Sequence, residues 1–430
     1  MSGFLGVTAL LILLALGVPI GVAVGIVGLV GLAIMLGPEP ALIKAGIVLT
    51  ETILRYELGV LPLFLLMAHI CFAAGASRDF FDAAARLVGH RRGGLALASI
   101  AGCAGFGAIS GSSLATAATI GLVGVPEMRR RGYSDALATG AVAAGGTLGS
   151  LVPPSAALIV FGILAEQSIG RLFTAALIPA ATQALSYMLT IVLLCKWRPS
   201  IGPATSRASW MERRAALLRV LDLAVLVALV LGGIAVGWFT PTEAASVGAV
   251  GALALCARRG RLTWATLRDA LAETLRTTGM IYVVIIGALI FSVFMSLTGL
   301  ADQVATLVGA VGGGTLVAVI VMTVLLLLLG SVLDGLALML LTTPILLPIV
   351  HDLGLSPIWF GIYLVRTMEI GFVHPPIGIN LYVIQGIARD VPLSRIFKGV
   401  LPFLAADFVH LGLLIAFPAL VLALPQWLGS

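Results

Sequence analysis

Four short stretches of this sequence set oxygen-bearing side chains beside glycine or proline inside long apolar runs. They are GAISGSS (Gly107 to Ser113), GTLGSLVPPS (Gly146 to Ser155), GSVLDG (Gly330 to Gly335) and EIGFVHPPIG (Glu369 to Gly378). The first half offers Ser110, Ser112, Ser113, Thr147 and Ser150; the second offers Asp334, Thr342, Thr343, Thr367, Glu369 and Asn380. Neutral oxygens with one or two carboxylates suit a hard, weakly held monovalent cation such as sodium. The prolines lack amide hydrogens and break a helix, which exposes carbonyl and amide groups that a cavity or ligand must use. Other readings stand beside this one. Serines also let helices pack closely in a membrane, and Arg366, three residues before Glu369, would neutralise it as an ion pair. Arg366 or His374 would alternatively hold a substrate carboxylate. Asp334 is a lone carboxylate in an apolar run, costly there unless paired or functional.

These groups sit in a chain built for a bilayer. Of 430 residues, 60% are apolar, 10% are charged and 51 are glycine, which excludes a water-soluble surface over most of its length. Runs such as Val220 to Trp238, Met280 to Leu297 and Val317 to Gly330 approach or reach the ~20 residues a helix needs to cross hydrocarbon. The first charged residue is Glu39 and the first basic one Lys44, so the amino terminus lacks the positive flank of a cleaved signal and reads as part of the mature protein. The net charge of +6 lies in short loops, as membrane orientation requires, and implies no nucleic-acid partner. Cys71, Cys103, Cys195 and Cys256 are widely spaced without companion histidines and read as small buried apolar residues.

A shift of 222 residues superposes the two halves. It pairs Pro153-Pro154 with Pro375-Pro376, Pro126 with Pro348, Gly132 with Gly354, Ser134 with Ser356, Gly149 with Gly371 and Pro19 with Pro241. Glycine and proline set backbone geometry, so their coincidence points to duplication. Arg129, Arg130 and Arg131 stand in a loop whose counterpart, Val350 to Leu355, has no Arg or Lys. The first is expected in the cytoplasm and the second in the periplasm, so the halves are inverted.

This predicts an all-α polytopic fold of two inverted repeats, 1–196 and 220–430, joined by a basic cytoplasmic connector, 197–219. Each repeat holds a re-entrant hairpin (94–128 and 315–349) and a broken helix (136–164 and 357–388). Single spans are expected at Phe4 to Gly17, Pro19 to Leu36, Gly59 to Ala76, Leu172 to Cys195, Leu218 to Trp238, Pro241 to Ala257, Gly279 to Leu297 and Gly399 to Leu424. Thr263 to Thr278 is expected as a separate interfacial or bracing helix with an apolar stripe of Trp264, Leu267, Leu271 and Leu275. Asp222, Asp407 and His410 have no partner under the repeat and read as helix-end or interfacial residues.

GFGAISGSSLATAATIG (Gly105 to Gly121), PEMRRRGY (Pro126 to Tyr133), LATGAVAAGGTLGSLVPPS (Leu137 to Ser155), TPTEAA (Thr240 to Ala245) and EIGFVHPPIGINLYV (Glu369 to Val383) resemble the DctM-like large membrane subunit of tripartite ATP-independent periplasmic (TRAP) transporters, of the ion-transporter superfamily. The resemblance runs over essentially the whole chain. It implies a sodium-driven importer of a small organic acid in the bacterial inner membrane, both termini periplasmic. It further implies an elevator in which a transport domain (about 94–195 and 315–425) moves against a scaffold (about 1–77 and 218–298). The partners implied are a small four-helix membrane subunit, a periplasmic substrate-binding protein and the surrounding lipids. Two sodium sites are implied, one at Ser110, Ser112, Ser113, Gly149, Ser150, Val152 and Pro153, the other at Asp334, Gly335, Met368, Glu369 and Phe372. The expected substrate contacts are Ser113, Arg366 and Asn380. His374 and Thr367 stand where the family usually has Thr and Asn. An autonomous carrier without a binding protein is the alternative. An intramembrane enzyme is disfavoured because HExxH and GxSxG are absent, and a passive channel because two opposed hairpins suit alternating access.

Overall fold

The structure is a computed structural model that describes residues 2–428 apart from 301–302, 304–313, 332 and 376. Among the described residues the chain is helical throughout, with no strand. Its first half runs α1 (Ser2–Ala15), α2 (Ile20–Leu36), α3 (Pro38–Leu54), α4 (Val60–Ala73), α5 (Ala76–Val88), α6 (Gly94–Ser110), α7 (Ser113–Arg130), α8 (Asp135–Gly146), α9 (Leu148–Leu151), α10 (Ala156–Leu164) and α11 (Ile169–Trp197). The second half runs α12 (Trp210–Ala235), α13 (Pro241–Arg258), α14 (Trp264–Thr298), α15 (Gly314–Gly330), α16 (Gly335–Asp352), α17 (Pro357–Gly371), α18 (Ile379–Ile387), α19 (Leu393–Ala416) and α20 (Ala419–Leu428). Among the described residues six helices are long and apolar enough to cross a membrane. A seventh span results if α8–α9 and α10, bent by 41°, count as one.

Polar residues in this apolar chain are placed where helices begin. The side chains of Ser112, Ser134, Ser155, Ser168, Ser209, Thr240, Thr263 and Asp334 each accept a backbone N–H in the first turn of the following helix. Such a cap contributes ~0.5–2 kcal/mol, and it satisfies donors that lipid could not. Glycine governs how closely helices meet. A Cβ on Gly28 of α2 would come within 2.7 Å of the Phe291 backbone, and one on Gly21 within 2.9 Å of that of Val284, so α2 and α14 touch backbone to backbone. α13 packs on α4 as α2 packs on α14, a pairing that exchanges the elements matched by the 222-residue shift. Element starts keep the same register, Ser113 of α7 with Gly335 of α16 and Asp135 of α8 with Pro357 of α17.

Three expected boundaries are corrected. The connector is shorter than 197–219, because a capping box between Ser209 and Glu212 starts α12 at Trp210. Thr263 to Thr278 is no separate helix: α14 runs 35 residues through Gly279, which a helix interior tolerates. Its buried face there is Ala270, Thr274 and Thr278, while Trp264, Leu271 and Leu275 point outward at 78%, 40% and 70% exposure. The last span, read as Gly399 to Leu424, is divided into α19 and α20 at Phe417–Pro418, since the residue before proline is pushed out of helical geometry.

Candidate functional site

The first cluster forms where the α6–α7 turn meets the break between α9 and α10. The turn is Gly111–Ser112, and Gly111 has φ +59°, a left-handed conformation that favours glycine. A Cβ on Gly111 would stand 2.7 Å from the carbonyl oxygen of Pro154, and one on Gly149 would stand 2.5 Å from that of Ser112. The tip and the break therefore touch through main chain. Around them Ser110 Oγ lies 2.7 Å from Thr116 Oγ1, the Ser113 amide donates to Ser150 Oγ at 3.2 Å, and the Ser155 hydroxyl donates to the Ser150 carbonyl at 2.5 Å. Among the described residues no donor reaches the carbonyl oxygens of Val152 or Pro153. Thr116 and Ser155 were not singled out in the sequence; both are buried hydroxyls that flank the expected residues.

The second cluster repeats this geometry. A Cβ on Gly371 would approach the Gly330 carbonyl oxygen to 2.7 Å, and one on Gly335 would meet Met368 Sδ at 2.4 Å and Phe372 Cζ at 2.9 Å. The Asn380 amide donates to the Phe372 carbonyl at 3.1 Å across the break. Pro376 and Val332, parts of the expected break and tip, lie outside the described residues. Asp334, expected as a buried carboxylate, is instead exposed and caps α16 by accepting the Ala337 amide at 3.0 Å. Thr342 and Thr367 donate to carbonyls of their own helices at 2.7 and 2.8 Å, and Thr343 Oγ1 is buried without a partner.

Glu369 joins the clusters. It is fully buried; Oε2 accepts from Ser113 Oγ at 2.5 Å and Oε1 has no partner. Ser113 Oγ also lies 2.8 Å from Ser150 Oγ. With the Ser113 proton directed at the carboxylate, the Ser150 hydroxyl must donate to Ser113, so the chain Ser150–Ser113–Glu369 runs in one direction.

Arg366 does not pair with Glu369. It is 1% exposed, bonds to Asp407 through Nη2, and donates from Nε to His410 Nδ1 at 3.3 Å. Its guanidinium is thus engaged by Asp407 and His410, not by Glu369. Asp407 and His410 are correspondingly core residues, not interfacial ones. Asp407 Oδ1 also accepts from Tyr187 Oη at 2.6 Å and Gln183 Nε2 at 2.8 Å, and His410 Nε2 lies 2.9 Å from Thr182 Oγ1. In the sequence Thr182, Gln183 and Tyr187 on α11, and Asp407 and His410 on α19, show only as polar residues within largely apolar helices, with nothing that pairs them. Asp222 likewise has partners, Arg258 and Arg259. Asn380 is buried, its Nδ2 donating to the Ala143 carbonyl at 3.3 Å while Oδ1 has no partner. His374 meets the ring of Phe408 edge-on at 6.2 Å.

Apolar spans, a broken helix and buried polar clusters at the breaks define a multi-pass membrane protein of the transporter class. Residues 7–420 match the family described as "Tripartite ATP-independent periplasmic transporter, DctM component". The chain is 36% identical over 400 residues to the C4-dicarboxylate TRAP transporter large permease protein DctM of Pseudomonas aeruginosa, covering 93% of each. It is 33% identical to the sialic acid TRAP transporter large permease protein SiaM of Vibrio cholerae, over 86% of this chain and 87% of that one. It is 34% identical to the isethionate TRAP transporter permease protein DctMQ of Oleidesulfovibrio alaskensis, over 91% of this chain and 61% of that one. The fold is similar to the crystal structure of the Alcanivorax borkumensis YdaH transporter, with a TM-score of 0.59, 15% identity and 89% of each chain covered. The chain belongs to the TRAP transporter family as a large permease component, a transporter rather than an enzyme.

Proposed function

We propose that this chain is the translocating subunit of a sodium-coupled importer of a small organic acid, with ions held at the two turn-and-break clusters and the acid between them. The observation that carries the reading is the Ser150–Ser113–Glu369 chain, which leaves Glu369 Oε1 buried and unpartnered at the seam between the halves. An ionised carboxylate in an apolar interior is costly unless paired, and Arg366 is turned to Asp407 instead. A bound sodium ion meets that need and is a hard ion suited to hydroxyl, carbonyl and carboxylate oxygens. The first ion site comprises the Ser110–Ser113 tip with Gly149, Ser150, Val152 and Pro153. The second comprises Asp334, Gly335, Met368, Glu369 and Phe372. Ser113 and Asn380, whose Oδ1 is free, face the acid.

The halves lie upside down to each other, so the two hairpins enter from opposite faces and the clusters meet at mid-membrane. Residues 94–195 and 315–425 move as an elevator against 1–77 and 218–298. The chain resides in the inner membrane with both termini periplasmic, beside a small membrane subunit and supplied by a periplasmic binding protein, in line with the tripartite family description. The relatives are named for a C4-dicarboxylate, sialic acid and isethionate, all acid anions, and the same class of cargo is assigned here.

Uptake into liposomes holding the full set of subunits tests the reading. An inward sodium gradient should drive accumulation of the acid that the binding protein retains, and Glu369→Gln should lower sodium-driven uptake at least about tenfold, a loss of ~1.4 kcal/mol in ion binding. Asp334→Asn keeps the helix cap and removes only the charge; it should weaken sodium dependence as well. Sodium dependence unchanged in both variants contradicts the assignment.

A further inference from the structure

A separate cluster lies where the α5–α6 loop meets the start of α12, far in sequence from the carboxylate chemistry. The connector crosses the loop and is tied to it: the Thr205 amide donates to the Gly89 carbonyl at 3.1 Å, and the Gly93 amide donates to that of Gly202 at 2.8 Å. This brings Arg207 and Arg213 beside His90 and Arg91. Desolvation and then the charges of Arg213, Arg207 and Arg91 hold the His90 imidazole below its ordinary value, so all three arginines lie close enough to act on it. Among the described residues no carboxylate forms an ion pair with Arg91, Arg207 or Arg213. Glu212, the acid next in sequence, is held by the Ser209 amide at 2.8 Å, the Ser209 hydroxyl at 2.9 Å and Arg86 at 3.3 Å. Nε and Nη2 of Arg213 are nevertheless buried and have no hydrogen-bond partner. Buried guanidinium donors left unsatisfied are costly, and a guanidinium fork matches an acceptor with several oxygens. Arg207 also lines a cavity of about 810 Å³, together with Arg86, Arg130, Arg131 and the carboxylates Asp82, Glu127 and Glu212.

We propose that this junction is a phosphate-binding site that clamps the connector to the α5–α6 loop, taking either the headgroup phosphate of an anionic phospholipid or free phosphate. The site goes beyond the transport reading and does not depend on it. Thermal unfolding of the full chain in detergent tests it, with phosphatidylglycerol compared with phosphatidylcholine, and inorganic phosphate with chloride at equal ionic strength. Phosphatidylglycerol alone raising the melting temperature identifies a lipid site, and inorganic phosphate doing so identifies a free anion; either supports the clamp. The pair Arg207→Gln and Arg213→Gln should raise the ligand concentration needed at least about tenfold, while Arg214→Gln, an exposed change that removes one neighbouring charge, should leave it unchanged. Should the double variant fold poorly, native mass spectrometry of the exposed Arg207→Gln change alone should count fewer bound phosphatidylglycerol molecules than wild type. No stabilisation by either ligand, or equal loss in the Arg214→Gln control, overturns the proposal, as does an unaltered lipid count where phosphatidylglycerol is the stabilising ligand.

Discussion

The buried charges of α17 and α19 show how one side chain frees another. Asp407 takes Arg366, and His410 accepts from Arg366 Nε at Nδ1, which leaves its proton on Nε2 to donate to Thr182 Oγ1. Thr182 in turn donates to the Ile178 carbonyl at 2.9 Å, so the row is consistently polarised. Removing one partner of a buried pair strands the other: Asp407→Asn should cost ~3–5 kcal/mol of stability, visible as a lower melting temperature. Arg366→Met combined with Asp407→Leu should recover most of that loss. A double variant as unstable as the sum of the two single changes would contradict the pairing. Ser110, Ser113, Ser150 and Glu369 were legible in the sequence because they flank helix-breaking residues, whereas Asp407 was not. Its partners come from α11 and α17, and no repeat or local spacing foretells a contact between helices.

At the scale of elements, glycines decide where tip and break can touch. Gly149 and Gly371 are related by the 222-residue shift, and each faces main chain of its hairpin. Gly149→Ala and Gly371→Ala should each destabilise the protein by ~1–3 kcal/mol, since backbone cannot move aside cheaply. Gly386→Ala, with nothing within 4 Å of its Cβ position, should be neutral or stabilising by up to ~1 kcal/mol. Equal effects at all three positions in thermal unfolding would refute close approach as the reason for these glycines. Turns and breaks were readable for the same reason, that Gly and Pro act locally. The continuity of α14 was not, because the apolar residues Trp264, Leu271 and Leu275 of its first half point outward while its buried face, Ala270, Thr274 and Thr278, is small and partly polar.

Across the whole molecule, the end of α7 is tied to the α18–α19 loop. Arg129 donates to Asp390 through Nη1 at 3.0 Å and Nη2 at 2.5 Å and to Asp135 through Nε at 2.9 Å, and Arg395 reaches Asp135 at 3.0 Å. Hydrogen bonding from Arg129 holds the Asp390 carboxyl below the usual range. Its folded value being the lower one, this contribution is complete above the unfolded value of about 4 and is lost as pH falls through the folded value. Asp390→Asn should flatten that part of the acid unfolding curve; an identical acid limb would show that the contact does not couple to stability. The tie joins chain segments of the two halves, which the sequence relates by a shift but cannot bring together without the intervening packing.

The central claim, that two halves of opposite orientation enclose the ion clusters, is tested most directly at the paired turns Arg129–Tyr133 and His351–Leu355. The native cysteines of the chain are all buried, so single cysteines placed at Arg130 and Asp352 can be labelled with a membrane-impermeant maleimide in oriented vesicles. The account predicts that Arg130→Cys reacts only from the cytoplasmic face and Asp352→Cys only from the periplasmic face. Labelling of both from one face would contradict it.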